Sequence, residues 1–281
     1  DKVSCTMFPL QGAQMLQMLE KSLRKSLPTS LKVYGTVFHM NQGNPFKLKA
    51  LVDKWPDFNT VVIRPQEQEN CTNPDYMTPV VQQQHRAHHQ SSQSSLNEVI
   101  QSLPATKSFK VKRSQNILYM AIEAIRELAP SLLDIKNLSL SDGKPKAIDQ
   151  EMFKLSSLDP THAAVVNKFW HFGGNEWSRR FIERCIRTFP NFCLLGPEGT
   201  PVSWSLMDQT GEMRMGGTLP EYRAHGLVTY VIYYQTQALI ERGFPVYSHV
   251  DKNNKIMQKM SHSLNHIPVP CDWNQWNCVP L

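Results

Sequence analysis

The sequence predicts an α/β protein of two lobes, in which helices are mixed with short, largely antiparallel strands. Three observations predict it. Apolar residues at helical spacing alternate along the chain with short runs rich in β-branched and aromatic residues. Turn chemistry cuts the second half cleanly into short elements. The stretch SLSDGKPK at 139–146 has the composition of a linker and divides the 281 residues into segments 7–143 and 147–281, each long enough for a modest core.

In the first segment, Leu16, Leu19, Leu23 and Leu27 mark one face of a helix over 14–27, with Lys21, Arg24 and Lys25 on the other side. A basic amphipathic start also suits an organelle address, but Glu20 within it favours a core helix. The apolar and β-branched run 32–40 reads as a strand, 41–45 as a turn, 48–54 as a short helix and 60–63 as a strand. Residues 66–95, including QQQHRAHHQSSQSS, are polar and poor in large apolar groups, which predicts a disordered loop. His85, His88 and His89 within it read as solvated rather than metal-binding. Helical spacing resumes with Leu96, Val99, Ile100 and Leu103, and a second helix is expected at 115–128.

In the second segment, Asp159 followed by Pro160 is an N-cap with proline at the first helical position, and His162, Val166 and Trp170 continue one helical face up to Gly173-Gly174. The next helix, 176–188, turns Phe181, Ile182, Cys185 and Ile186 inward and ends before Pro190. Three antiparallel strands follow at 192–195, 201–206 and 211–218, separated by GPEGT and DQTG. The run LVTYVIYY has strand propensity. The spacing of Leu227, Val231 and Ala238, and the stop Arg242-Gly243-Phe244-Pro245, favour a helix there instead. A strand and a last helix from Asn254 complete the order.

Composition narrows the function. No apolar run reaches the eighteen residues of a membrane span. The net charge of +6 comes from scattered residues without a basic stripe or a stacking motif, which argues against nucleic acid and leaves room for an anionic small molecule. The six cysteines show no C-x-x-C pair and no zinc-like rhythm, so they read as reduced thiols and no metal is expected. The sequons at Asn70 and Asn137 read as chance, and with Met7 as the first candidate initiator, residues 1–6 read as an extension.

The chemistry concentrates in LPEYRAHGL, 219–227. A glycine at the mouth of a helix lets a phosphate approach exposed backbone N–H groups, and the helix dipole favours the negative charge there. Gly226 holds that place with Arg223 as a fixed cation beside it, and Gly216-Gly217 in the preceding strand suggests a bulge or a close-approaching ligand. By residue type alone, Glu221 is either a first-turn carboxylate that stabilises the dipole or a general base.

These residues resemble the coenzyme A pyrophosphate loop of the GCN5-related N-acetyltransferase superfamily, written [RQ]-x-x-G-x-[GA]. Arg223 and Gly226 match, and Val228 stands where a smaller residue is usual. Within the superfamily the chain is similar to the glycine N-acyltransferases, through QEMFKLSSLD, NKFWHFGGNE, LLGPEGTPV, TLPEYR, HGLVTYVIY and WNQWNCVPL among other stretches. The likeness covers most of the chain outside 66–92, an interval that is shorter here and poorer in aromatic residues.

The resemblance implies two acyltransferase-like lobes, the C-terminal one catalytic. It implies transfer of benzoyl or another aromatic or medium-chain acyl group from coenzyme A to glycine, in the mitochondrial matrix, by a monomer. Acyl-CoA is then a co-substrate, and no cofactor is held permanently. The family's catalytic glutamate falls on Glu221, and the coenzyme contacts fall on Arg223, Ala224, His225, Gly226, Leu227, Val228 and Asn254. The tyrosine that protonates the leaving thiolate elsewhere in the superfamily is replaced by Ser261, so no general acid is assigned. A glutamine-specific relative and an impaired coenzyme A binder are the alternatives.

Overall fold

The computed structural model describes residues 7–66, 80–83, 109–133, 138 and 140–280; side chains at 80–83, 109–113 and 272–280 are outside the description. The expected helix at 96–103, His85, His88 and His89, both sequons and residues 1–6 lie outside it. So does the 66–95 interval, apart from Gln66 and the short strand β4 (Val80–Gln83).

The N-terminal half begins with β1 (Phe8–Pro9) and α1 (Ala13–Arg24), whose Leu19 and Leu23 are fully buried as their spacing predicts. The run expected as a strand at 32–40 is instead α2 (Leu31–Asn41). Its β-branched and aromatic residues are buried on nearly every side, and packing overrides a weak local preference. The 48–54 helix is likewise corrected to a strand, β2 (Leu48–Val52), which pairs antiparallel with β1 and with β3 (Thr60–Pro65), while β3 pairs with β4.

The expected helix at 115–128 divides. Its first part belongs to β5 (Phe109–Ala121), and only α3 (Ile122–Leu128) is helical. Leu118, Tyr119, Met120 and Ala121 are all buried, and a continuous apolar run fits a buried strand as well as a buried helix. Strand β5 reaches across the linker: it lies between β10 (Tyr247–Asp251) and β11 (His266–Pro280), antiparallel to both.

In the second half the elements from 154 to 263 fall close to expectation, but the helix from Asn254 does not complete the order: β11 (His266–Pro280) follows it, a strand held by pairing with the distant β5 rather than by a local signal. Strand β6 (Lys154–Ser156) leads to the Asp159 cap, where the carboxylate accepts from the Thr161 N–H at 2.9 Å, and then to α4 (Ala163–Phe169). Helix α5 (Glu176–Thr188) opens on a capping box between Asn175 and Ser178. Strands β7 (Phe192–Leu195), β8 (Pro201–Met207) and β9 (Met213–Thr218) form an antiparallel sheet with β6. Helix α6 (Leu227–Glu241) packs on that sheet and α7 (Lys255–Ser263) follows β10. One apolar core joins the two halves, from Leu19 and Val37 to Ile182 and Trp204.

Candidate active site

Strands β9 and β10 run parallel for a single bridge, Glu212 to Tyr247, and then part, because each is the edge of a different sheet. The gap between them is a cavity of about 1210 Å³, walled also by α6 through Ile232 and by α7 through Met257 and Ser261. Glu212 stands at its closed vertex.

The vertex is built by the turn before β9. Asp208 Oδ1 accepts from the backbone N–H and the hydroxyl of Thr210 at 2.8 and 2.6 Å, and Gly211 takes a φ of +77°. Tyr247 donates its hydroxyl to the Thr210 carbonyl at 2.6 Å. Helix α2 comes down on this turn at Gly35, where a Cβ would lie only 2.2 Å from the Thr210 carbonyl oxygen. That close approach lets Lys32, one turn earlier on α2, reach Glu212: Nζ donates to Oε2 at 2.5 Å. Oε1 accepts from the His249 backbone N–H at 3.1 Å and lies 3.2 Å from His249 Nδ1.

Only 3% of the Glu212 side chain and 6% of the His249 side chain are exposed. Burial alone would push the Glu212 carboxyl up, but the Lys32 ammonium and His249 outweigh it and hold the group well below the usual carboxylate range. Burial pushes His249 down, more strongly than Glu212 pulls it up. The pair at the vertex is therefore a carboxylate beside a neutral imidazole.

Along the wall, Arg214 combines a cation with aromatic surface. Its guanidinium lies 5.6 Å from the Trp170 ring and 5.9 Å from the Phe172 ring, and donates to Asp208 Oδ2 at 3.1 Å. Next to it the β8–β9 register slips between Trp204 and Leu206, and Met215 takes a φ of +58°. A non-glycine residue in that region stores about 1–3 kcal/mol of strain, a feature that clusters at ligand sites. The glycine pair does mark a bulge. Gly216 lines the cavity, and a Cβ on Gly217 would press on the Trp204 ring at 3.1 Å.

The loop at the end of β9 is open. Arg223, Ala224, His225 and Gly226 are exposed, with Ala224 at φ +66° and Gly226 at φ +74° as the helix N-cap. No side chain caps α6, so the N–H groups of its first turn, at Leu227, Val228 and Thr229, face outward for an incoming acceptor. Leu227 is buried in the core, Val228 is partly buried, and Arg223 is steadied by donating Nε to the Thr218 carbonyl at 3.2 Å.

Glu221, the base expected from the sequence, is exposed on the 3-10 turn Pro220–Tyr222 and is not among the residues lining the cavity. Two carboxylates line the cavity instead, Glu212 immediately before β9 and Asp251 at the end of β10; Asp251 accepts from the Ser114 hydroxyl at 2.6 Å, and Glu212 is the buried one at the vertex. Asn254 lines the cavity, but its Oδ1 accepts from the Met257 N–H at 3.1 Å as the N-cap of α7. Ser261 also lines it, with its hydroxyl donated to the Met257 carbonyl at 3.0 Å. Sequence reasoning missed Glu212, His249 and Lys32; a carboxylate inside the strand-like run GEMRMGG was the one visible signal. Among the described residues no cluster of His, Cys, Asp or Glu could hold a metal ion, and no helix is long and apolar enough to cross a membrane.

Comparison with known proteins adds the lineage. Residues 192–280 match the family model of the aralkyl acyl-CoA:amino acid N-acyltransferase C-terminal region. Residues 7–85 and 77–190 match the corresponding N-terminal model, in two pieces that meet inside the shortened interval. The chain is 72% identical to glycine N-acyltransferase of Bos taurus and 67% identical to that of Homo sapiens, in each case over 98% of this chain and the whole of the relative. It is 65% identical to glycine N-phenylacetyltransferase of Bos taurus over the same shares.

Among solved structures, a Drosophila protein superposes with a TM-score of 0.72 at 12% identity, covering 98% of both chains. A GCN5-related N-acetyltransferase-like protein of Streptococcus suis superposes with a TM-score of 0.51 at 12% identity, over 95% of this chain and all of that one. The fold is accordingly that of the GCN5-related N-acetyltransferases. With both family models matched across nearly its whole length, the chain belongs to the aralkyl acyl-CoA:amino acid N-acyltransferase family and is an acyltransferase.

Proposed function

We propose that the protein transfers benzoyl and other aromatic or medium-chain acyl groups from coenzyme A to the amine of glycine. The observation that carries this reading is the layout of β9. One end opens on uncapped amides beside Arg223, suited to a diphosphate, and the other ends on a buried anion, suited to an ammonium. Between them the Trp170 and Phe172 rings offer apolar surface to an aromatic acyl group, and Arg214 is a cation within the same cavity for the acceptor's carboxylate. The names of the relatives support glycine as acceptor. Action in the mitochondrial matrix, as a monomer, belongs to the same proposal and is supported by the resemblance.

Glycine's amine is protonated at neutral pH and must lose a proton before it attacks the thioester carbonyl. The geometry favours the vertex over the exposed Glu221 for that event, because a group must lie within hydrogen-bond reach of the amine to take its proton. The test is release of free coenzyme A from benzoyl-CoA with glycine, and in parallel with glutamine. Turnover with glycine supports the proposal. Turnover with glutamine alone moves the acceptor, and binding of benzoyl-CoA without turnover makes the chain a coenzyme A binder.

A further inference from the structure

We propose that Lys32, brought in by α2 from the first half of the chain, is a positioning residue for the reaction: its ammonium holds the Glu212 carboxylate in one orientation and in the charged form that receives the acceptor's proton. The inference rests on the functional reading above, with Glu212 as the group at the vertex that takes that proton. It gives the first half of the chain a part in the chemistry.

The geometry is specific. Oε2 of Glu212 accepts from Lys32 Nζ at 2.5 Å and Oε1 from the His249 backbone N–H at 3.1 Å, so both oxygens are tied and the carboxylate cannot turn away from the cavity it lines. Only 10% of the Lys32 side chain is exposed, and an ammonium buried that far needs its partner. It reaches Glu212 because Gly35, a turn later on α2, lets the helix touch the Thr210 carbonyl. A buried ion pair adds little stability beyond what apolar side chains of the same volume would give. Its place at the closed end of the cavity therefore points to the reaction rather than to the joining of the two halves, which the shared apolar core already provides.

Charge is the second part of the role. A carboxylate as buried as Glu212, without a cation beside it, would hold its proton near neutral pH and could not take another. The groups that face it are Lys32 from α2, His249 and Tyr247 from β10, and Arg214 from β9. Lys32 does most to keep it ionised. Burial keeps His249 neutral and Tyr247 a phenol, and Arg214 contributes less while donating to Asp208. The proton that Glu212 takes from the glycine ammonium passes on to the leaving thiolate or to solvent, and Lys32 keeps its own protons throughout.

The experiment follows kcat against pH, with benzoyl-CoA and saturating glycine, for the unaltered protein, Lys32→Met and Lys32→Arg, with tryptophan fluorescence to establish that each is folded at every pH used. In Lys32→Met the acid limb of the profile is expected to move up by about 1–3 pH units, so that the loss of rate is largest at the acid end and closes as pH rises. Lys32→Arg, which keeps the charge, is expected to return the limb toward that of the unaltered protein. The position of the limb does not depend on how much of the sample is active, and Lys32→Gln serves if Lys32→Met does not fold. A limb that stays in place, whether the rate is unchanged or falls equally at every pH, would overturn the proposal, since a merely structural role gives that result. So would a limb displaced as far in Lys32→Arg as in Lys32→Met. Absence of turnover by the unaltered protein would bring down the functional reading itself, and this inference with it.

Discussion

Glu212 is an anion that neighbouring groups, rather than water, keep charged. Removing its charge should therefore do two things at once. Glu212→Gln is expected to lower kcat with glycine by about 10² to 10⁴. It also strands the Lys32 ammonium inside the fold, at a cost of about 3–5 kcal/mol visible in a urea unfolding curve. Glu221→Gln should leave kcat near that of the unaltered protein and change stability by less than about 1 kcal/mol, the worth of a first-turn carboxylate. A loss of kcat confined to Glu221→Gln would restore the residue that the sequence pointed to. Glu212 was hard to find because its partners are remote: Lys32 lies 180 positions away and the His249 backbone 37. The open helix mouth at Arg223 and Gly226 was legible because an arginine and a left-handed glycine before a helix form a local pattern that needs only one turn of chain.

At the scale of elements, the second half was readable because turns and caps announce each boundary, as at Asp159-Pro160, Asn175 and the GPEGT turn. The first half was not, because its segments owe their conformation to burial. Helix α2 is the clearest case, with Gly35 in its middle serving contact with Thr210 rather than helix propensity. Gly35→Ala puts a methyl where 2.2 Å is available against backbone, so α2 must shift. A loss of about 1–3 kcal/mol is expected, with a fall in kcat because Lys32 retreats from Glu212. Stability and kcat measured on the same preparation check it, and an unaltered kcat would break the link between the lobes. At the mouth, Arg223→Ala should raise KM for benzoyl-CoA roughly tenfold, about 1.5 kcal/mol for one charge-assisted bond, while kcat holds.

For the whole molecule, the linker at 139–146 separates stretches of chain but not sheets, since β5 from the first half is the middle strand between β10 and β11. With one core shared as well, both halves are expected to unfold in a single transition. That transition should depend on pH. Burial pushes His39 and His266 down to about 4, for His39 against the upward pull of Asp208. In the unfolded chain each takes its proton near 6.5, so between about 4 and 6.5 the unfolded state binds more protons. Stability is therefore full above pH 6.5 and falls as pH drops toward 4, by on the order of 3 kcal/mol per ring. A midpoint of unfolding that does not move between pH 7 and 5 would contradict it. The central claim is that acyl-CoA enters along β9, from the open start of α6 to the Glu212 vertex. The most direct measurement is a crystal structure with bound coenzyme A. The account predicts diphosphate oxygens within hydrogen-bond distance of the backbone N–H groups around Leu227 and the sulfur in the cavity between β9 and β10. Coenzyme A bound elsewhere, with the 223–228 loop vacant, would contradict it.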